Sequence, residues 1–353
     1  DEKDAIMGRK RLYWGLKGRA QLVDKATGQV VSEDQAPRGL AHVPYLTGRG
    51  TFIHNGNSYS VVNQQRLRPG VYTRETQDGA LESQFNVKPG TGRGFRINMD
   101  PSTGVFRMQV EHAQVKLYPV LKAMGLSDKE IEGAWGKELA YQNRLEDDKT
   151  PGVTLAKVIA KLGNQKDQEL APHELPKRLG EIMARMELDP ETTKRTLGES
   201  HTYVSPKTVL AATNKILSIG RREQEPDERD DIPFQSFHSA EDFFPEHVDK
   251  DAGKYLRNAL WKAQRTKDVS RIPDNYFSKQ LQSVLMGSGV AAASSEINPV
   301  ETLDLRYKVT RMGEGGIGST DSVPKEARGI QPSHFGFLDP IRAPESQKIG
   351  LDL

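Results

Sequence analysis

Cysteine is absent from the chain, which removes disulfide scaffolds, thiol nucleophiles and any Cys-ligated zinc or iron–sulfur site. Long apolar runs are missing too. Nothing approaches the roughly 18 consecutive apolar residues that cross a bilayer, and no charged-then-apolar signal opens the sequence. These absences favour a soluble intracellular chain. An excess of one charge is also lacking: 50 Lys and Arg face 48 Asp and Glu, a net charge of +2. Any nucleic-acid contact must therefore come from local clusters, not from a global positive field. Apolar residues make up only 35% of 353 positions, and mean hydropathy is -0.65. A core is still affordable, in two or three sub-domains with much wetted surface.

The first residue is Asp1, which reads as a processed chain or a fragment. A basic cluster from Arg9 to Arg19, interleaved with Tyr13 and Trp14, reads as one face of a strand or as a nucleic-acid stripe. Hairpin punctuation comes at Ala26-Thr27-Gly28 and again at Asn55-Gly56 between Thr51-Phe52-Ile53 and Tyr59-Ser60-Val61. Asn-Gly accepts the positive backbone angles of a tight turn. A third strand pair is expected between Gly94 and Val110, turning at Asp100 to Gly104. The amino-terminal third is thus mostly antiparallel β.

After Tyr118 the period changes. The capping box Ser127-Asp128-Lys129-Glu130 predicts a helix through about Asn143, with Ile131, Trp135 and Leu139 on one face. Asp189-Pro190 and Ser205-Pro206 place caps before prolines at first helical positions, the second opening a helix that carries Val209, Leu210, Ala212, Ile216 and Leu217. Arg221 to Asp231 is charged and aperiodic, an exposed loop. Helices resume from Ser239 to Ala263 and from Asp274 to Met286, and long regular elements look unfavourable from Gly287 onward.

Two glycine motifs are decoys. Gly313-Glu314-Gly315-Gly316-Ile317-Gly318 fits the dinucleotide pattern, but Ser319 to Pro324 is a poor helix start, and the pattern needs a helix there to hold phosphate. Gly90-Thr91-Gly92-Arg93-Gly94 sits in a hairpin context without the Lys-Ser/Thr ending of a phosphate loop. Histidines never take zinc-ligand spacing, and His334 reads as a structural hydrogen-bonding group. Asp147-Asp148 and Asp230-Asp231 read as solvated loop charge. No catalytic constellation emerges from the chain itself.

Two distant segments together resemble the β subunit of multisubunit DNA-dependent RNA polymerase. The first is Val43-Pro44-Tyr45-Leu46-Thr47-Gly48-Arg49-Gly50-Thr51-Phe52-Ile53, continuing to Asn55-Gly56, Gln64 and Arg68-Pro69-Gly70-Val71-Tyr72. It is similar to the family stretch I-P-x-M-T-x-x-G-T-F-I-I-N-G and Q-L-x-R-S-P-G-V-x-F. The second runs from Asn298-Pro299 through Arg306-Tyr307-Lys308-Val309-Thr310-Arg311-Met312-Gly313-Glu314-Gly315-Gly316. It ends in Gln331-Pro332-Ser333-His334-Phe335-Gly336, Ala343-Pro344-Glu345 and Ile349-Gly350-Leu351. It resembles N-P-L-S-E-x-x-H-K-R-R-x-S-A-L-G-P-G-G and H-P-T-H-Y-G-x-x-C-P-I-E-T-P-E-G-x-N-I-G-L. Looser agreement at Leu117-Tyr118-Pro119 and Asp230-Asp231-Ile232 connects them. Arg342, Ser346 and Leu305 depart from the family's Glu, Gly and His.

The resemblance implies an α+β chain corresponding to the N-terminal half of β. An antiparallel-sheet protrusion and a mixed, partly helical lobe would end in an irregular Gly/Pro-rich fork-loop segment. Its parts would be residues 1–74 (protrusion, first part), 75–265 (lobe), 266–305 (protrusion, return segment) and 306–353 (fork loop and start of the active-centre wall). Such a chain lines the DNA cleft and RNA–DNA hybrid site without catalytic residues of its own. Gln64, Arg66, Arg68, Arg306, Lys308, Arg311, Gly313, Gly315 and Gly316 are its expected nucleic-acid contacts. Glu345 would support the active centre through a salt bridge to a partner's arginine. Arg306, Lys308 and Arg311 would share nearly one face if extended. Magnesium would be held elsewhere, by the aspartates of a β′-like partner. The C-terminal half of β, DNA template and nascent RNA complete the expected partners, with no membrane. A split, phage-type subunit in the cytoplasm of a bacterium or infected host, or in a virion, fits the resemblance. The alternative is a free-standing nucleic-acid-binding module. In either case the two terminal stretches should fold back beside each other.

Overall fold

The computed structural model describes residues 2–76, 78–145, 151–163, 170–294, 297–323, 326–342 and 344–353. The chain forms two compact units: Asp1–Arg66 with Ser236–Leu353, and Leu67–Gln235. Asp147 and Asp148 lie outside the described residues.

The first unit opens with α1 (Glu2–Met7) and β1 (Tyr13–Gly18), the strand expected within the basic cluster. Next come β2 (Gln21–Val23) and β3 (Val30–Glu33), the predicted hairpin around Gly28, and β4 (Arg38–Pro44), which returns antiparallel to β1. β5 (Phe52–His54) and β6 (Asn57–Val61) are joined by Asn55 and Gly56 at φ +52° and +81°. Both central residues of this two-residue turn have positive φ, which is why Asn-Gly occurs there. β7 (Asn63–Leu67) then carries the chain toward the second unit.

That unit begins as a meander of β8 (Gly70–Glu75), β9 (Leu81–Asn86), β10 (Phe95–Met99), β11 (Phe106–Val110) and β12 (Ala113–Lys116), in spatial order β12-β11-β10-β9-β8. Phe95, Ile97, Phe106, Met108 and Val110 are buried at alternate positions, as a half-buried sheet requires. The turn between β10 and β11 falls where expected. Asp100 Oδ1 accepts from Ser102 N at 3.0 Å, and Gly104 takes φ +68°. Gly90–Gly94 links β9 to β10 as a plain connection.

Helices α2 (Leu117–Ala123), α3 (Asp128–Trp135), α4 (Lys137–Leu145), α5 (Pro151–Leu162), α6 (Leu175–Met183), α7 (Pro190–Leu197) and α8 (Pro206–Gly220) come next. The Ser127 capping box forms, with Ser127 N donating to Glu130 Oε2 at 2.8 Å. The helix it starts does not run to Asn143. Gly136 at φ +87° and ψ 155° breaks it into α3 and α4, a conformation that glycine alone adopts cheaply. Trp135 is buried and donates from Nε1 to Thr213 Oγ1 at 2.8 Å on α8. Both expected caps on α7 and α8 are present. Val209, Ala212 and Ile216 face the core, while Leu210 and Leu217 pack at its margin.

The loop Arg221 to Asp231 is mostly exposed, but Asp227 turns inward. Its Oδ1 lies 2.6 Å from Lys215 Nζ, and both side chains are about nine-tenths buried. Its Oδ2 accepts from Thr73 N at 2.8 Å, and its own N donates to Thr73 O at 2.7 Å. A loop that reads as solvated thus closes the open edge of β8, whose backbone groups would otherwise be available for aggregation. Burial raises the Asp227 carboxyl above the usual range, although Lys215 and Thr73 hold it down.

The chain returns through β13 (Gln235–His238), beside β7, and α9 (Ala240–Thr266), capped by Ser239 and Asp242. α10 (Ser278–Gly287) starts later than Asp274 because Asn275 N and Phe277 N donate to Gly39 O and Leu40 O on β4 instead. β14 (Ala291–Ala293) adds to β6. A further helix, α11 (Pro299–Tyr307), corrects the expectation of little regular structure after Gly287. Asn298 Oδ1 caps it by accepting from Val300 N at 3.0 Å. β15 (Val309–Thr310) closes the series. The α+β class read from the sequence is the one observed. Among the described residues no helix is long and apolar enough to cross a membrane.

Replacing Asp227 with Ala leaves the buried Lys215 ammonium with only the Thr196 carbonyl, so the second unit should lose about 3–5 kcal/mol. Urea unfolding monitored through the buried Trp135 measures it, and a loss below about 1 kcal/mol would show that the pair behaves as a surface contact.

Candidate nucleic-acid interface

The two family-like stretches meet on β7. β15 lies parallel to it, pairing Val309 with Asn63 and Thr310 with Gln64. Asn63 Nδ2 donates to Arg306 O at 2.9 Å and to Lys308 O at 3.3 Å. Gln64, fully buried, donates from Nε2 to Met312 O at 2.8 Å and accepts at Oε1 from Arg66 Nε at 2.5 Å. Arg66 Nη1 reaches Glu246 Oε1 on α9 at 2.9 Å, and Nη2 reaches Glu314 O at 3.1 Å. Its guanidinium carbon sits 5.5 Å from the centre of the Phe243 ring. Residues 50–66 and 298–350 are therefore parts of one body, as the resemblance required of the first stretch through Tyr72; its end, residues 67–72, belongs instead to the second unit.

The glycine segment packs onto these side chains. Gly313 and Gly315 take φ +107° and +86°. A Cβ on Gly315 would fall 2.5 Å from the Arg66 guanidinium, and one on Gly316 would fall 2.7 Å from Gln64 Nε2. The glycines serve close approach to β7 as well as backbone freedom. Backbone bonds close the loop: Ile317 N to Arg311 O at 2.9 Å, Gly316 N to Gly313 O at 3.0 Å, and Glu314 N to Ser288 O at 3.0 Å. The Glu314 carboxylate faces Lys250 and lies 3.5 Å from His247 Nε2. The dinucleotide pattern has no helix behind it; Thr320–Ser322 is a single 3-10 turn.

The remaining expected contacts are scattered in role. Arg306 is exposed in the last turn of α11, so the extended alternation with Lys308 and Arg311 does not occur. Lys308 Nζ lies 3.1 Å from the buried Asp352, whose Oδ1 accepts from Thr310 Oγ1 at 2.7 Å. Arg311 is buried, and its Nη1 donates to Ala327 O at 2.8 Å. Arg68, in the second unit, donates from Nε to Gln235 O at 2.9 Å and stands 3.8 Å from both Asp189 and Glu191. Glu345 is exposed. His334 is buried, with Gln331 N donating to its Nδ1 at 3.3 Å.

Sequence reasoning missed Phe243, Glu246, His247 and Lys250, which hold Arg66 and Glu314. Their spacing of three, four and seven is one helical face, so the signal was present. Arg328 was missed too. Its guanidinium donates to Thr320 O, Val323 O and Gln347 O, tying together an irregular segment that has no ladder of its own.

The family model described as RNA polymerase Rpb2, domain 3, matches residues 293–352, which include α11 and β15, the strand paired with β7. Along nearly its whole length the chain is similar to β subunits of DNA-directed RNA polymerase. It is 24% identical to that of Gloeobacter violaceus over 94% of this chain and 31% of the relative, and 23% identical to that of Synechocystis over the same shares. The subunit of Anthoceros angustus is 23% identical over 99% of this chain and 35% of its own. The chain spans about a third of the length of the curated relatives it matches.

Gly315→Ala should displace the loop from Arg66, whereas Gly318→Ala, whose added carbon meets nothing within 4 Å, should not. Protease cutting within 311–318 should rise in the first variant alone. Two histidines give the fold a pH dependence. Burial, then Arg11, lowers the His54 pKa. Burial and then Arg66 lower that of His238, against the opposing pull of Asp242 and Glu246. Each binds its proton more tightly when unfolded, so the stability they protect is present above about pH 6.5 and is lost as pH falls below it. The urea midpoint of the first unit should drop between pH 7 and 5.5, less so in His238→Gln.

Proposed function

We propose that this chain is a non-catalytic wall of a DNA-directed RNA polymerase, lining the DNA cleft and the RNA–DNA hybrid site. The observation that carries this reading is the junction of residues 50–66 with 298–350, where the family-like motifs of both stretches converge on Gln64 and Arg66. In this reading Gln64 and Arg66 are positioning residues. They fix the glycine loop, while nucleic-acid backbone is met by exposed cations such as Arg306 through charge and counterion release. A loop held in one conformation presents its backbone to a phosphate chain without an ordering cost at binding.

The steps we assign to this chain are binding and orientation; among the described residues no three His, Cys, Asp or Glu side chains are grouped to hold a metal ion. Magnesium, in this proposal, sits on the aspartates of a β′-like partner and stabilises the transferring phosphate there. The other partners are the remainder of β, the DNA template and the nascent RNA. Glu345, exposed, would meet an arginine of the partner.

Tagged chain recovered from its native source should bring down large chains carrying N-A-D-F-D-G-D. Recovery as a soluble DNA-binding monomer would instead support a free-standing module. In the assembled enzyme Arg306→Glu should weaken open-complex formation about tenfold, the loss of one phosphate contact turned repulsive, with assembly unchanged. Lys308→Glu and Arg311→Glu should lower stability first, because both residues are bonded within the chain.

A further inference from the structure

The β1–β4 ribbon is the part of the chain that the cleft reading leaves unexplained. Arg9 to Arg19 holds five basic residues and no acidic one, and all five are exposed. Among the described residues, Arg9, Lys10, Lys17 and Arg19 have no ion-pair partner. The nearest acids in the adjoining hairpin are engaged: Glu33 with Gln21 at 2.8 Å, and Asp34 with Arg38 at 2.6 Å.

Between the basic ends lies an apolar strand that nothing covers. β1 pairs only with β4 among the described residues, and its positions Tyr13 to Lys17 are exposed on both faces. Trp14 is 66% exposed and Tyr13 46%. Successive strand residues point to opposite faces, so each face carries one bare ring. Trp14 leans on Tyr45 with centroids 5.5 Å apart, and Tyr13 on His42 at 4.0 Å. A Cβ added to Gly15 would meet nothing within 4 Å, so the strand beside the Tyr13 ring is open. β1 is about 20 Å long, with Arg9, Lys10 and Arg11 before it and Lys17 and Arg19 at its far end.

We propose that this ribbon is a stacking platform for single-stranded nucleic acid. Uncovered rings bracketed by unpaired cations match a polyanion with exposed bases: cations hold successive phosphates while bases lie on Trp14 and Tyr13. A duplex keeps its bases stacked on one another and cannot use the rings, so the platform selects single strands. The site shares no residue with the β7 and glycine-loop network, and does not depend on the cleft reading.

The test is titration of the full chain with fluorescein-labelled oligo(dT) and with a duplex of equal length. Because Trp261 is also exposed, intrinsic fluorescence is read in a Trp261→Phe background. Oligo(dT) should quench Trp14, and the quench should vanish in Trp14→Phe/Trp261→Phe. Tyr13→Ala/Trp14→Ala should weaken oligo(dT) binding about tenfold without lowering the melting temperature, since both rings are exposed. Lys17→Glu/Arg19→Glu should weaken it too and flatten its salt dependence. Three results would overturn the proposal: equal duplex binding with the quench unaffected by Trp14, unchanged affinity in both double variants, or no nucleic-acid binding while an acidic peptide binds. The readout is binding by the chain alone, so failure here leaves assembly into a polymerase untouched.

Discussion

Taking a guanidinium out of water is tolerable only when its donors find acceptors, and Arg66 sets the terms for the first unit in this way. Its acceptors come from three places: the Gln64 side chain on its own strand, the Glu246 carboxylate on α9 and the Glu314 carbonyl in the glycine loop. Satisfying all three brings α9 and the loop onto β7 together. The positive φ values of Gly313 and Gly315 result from that convergence, since the loop must pass against a planar cation with no side chain intervening. Glu314 adds a second tie through Lys250 and His247, so helix and loop are joined twice.

The same device recurs where regular structure runs out. After β15 the chain has short turns and isolated bridges, and its carbonyls need donors. Arg311 supplies one to Ala327, and Arg328 supplies Thr320, Val323 and Gln347. Lys308 and Thr310 meet the buried Asp352. Cations that motif reading assigns to an external phosphate backbone are here the internal framework of an irregular segment. In the second unit Lys215 and Asp227 play a comparable part, joining an aperiodic loop to the edge of the sheet.

What was legible in the sequence was whatever local chemistry decides. Asn55-Gly56 dictates its turn, Ser127 and Glu130 their capping box, and Asp189-Pro190 and Ser205-Pro206 their helix starts, because each requirement is met within a few residues. Gly136 was passed over since its helix-breaking φ is one option among several for glycine. Asp274 to Phe277 read as helix, but Asn275 and Phe277 give their N–H groups to β4, a tertiary claim on the backbone that periodicity does not register. The site was half legible: motif order foretold that residues 50–72 and 298–350 would meet, and residues 50–66 do. Spacing could not tell that Arg311 points inward and Arg306 outward, because burial depends on which strand arrives alongside.

That division between inward and outward cations bears on the proposed contact of a chain of net charge +2 with a polyanion. Arg66, Arg311 and Lys215 are neutralised by carbonyls and carboxylates inside the fold and lend little field outside it. The exposed cations are dispersed over the surface, among them Arg306 at the end of α11 and the cluster from Arg9 to Arg19. Screening at physiological salt confines each to about 8 Å, so they act as discrete grips instead of a diffuse attractive surface. Discrete grips suit a wall that must hold nucleic acid in register yet let it advance, since each contact can break without the loss of a global field. In the proposed wall, rigidity would come from the buried cations and affinity from the exposed ones, and the separation of the two groups would let the glycine loop stay fixed while bound nucleic acid moves.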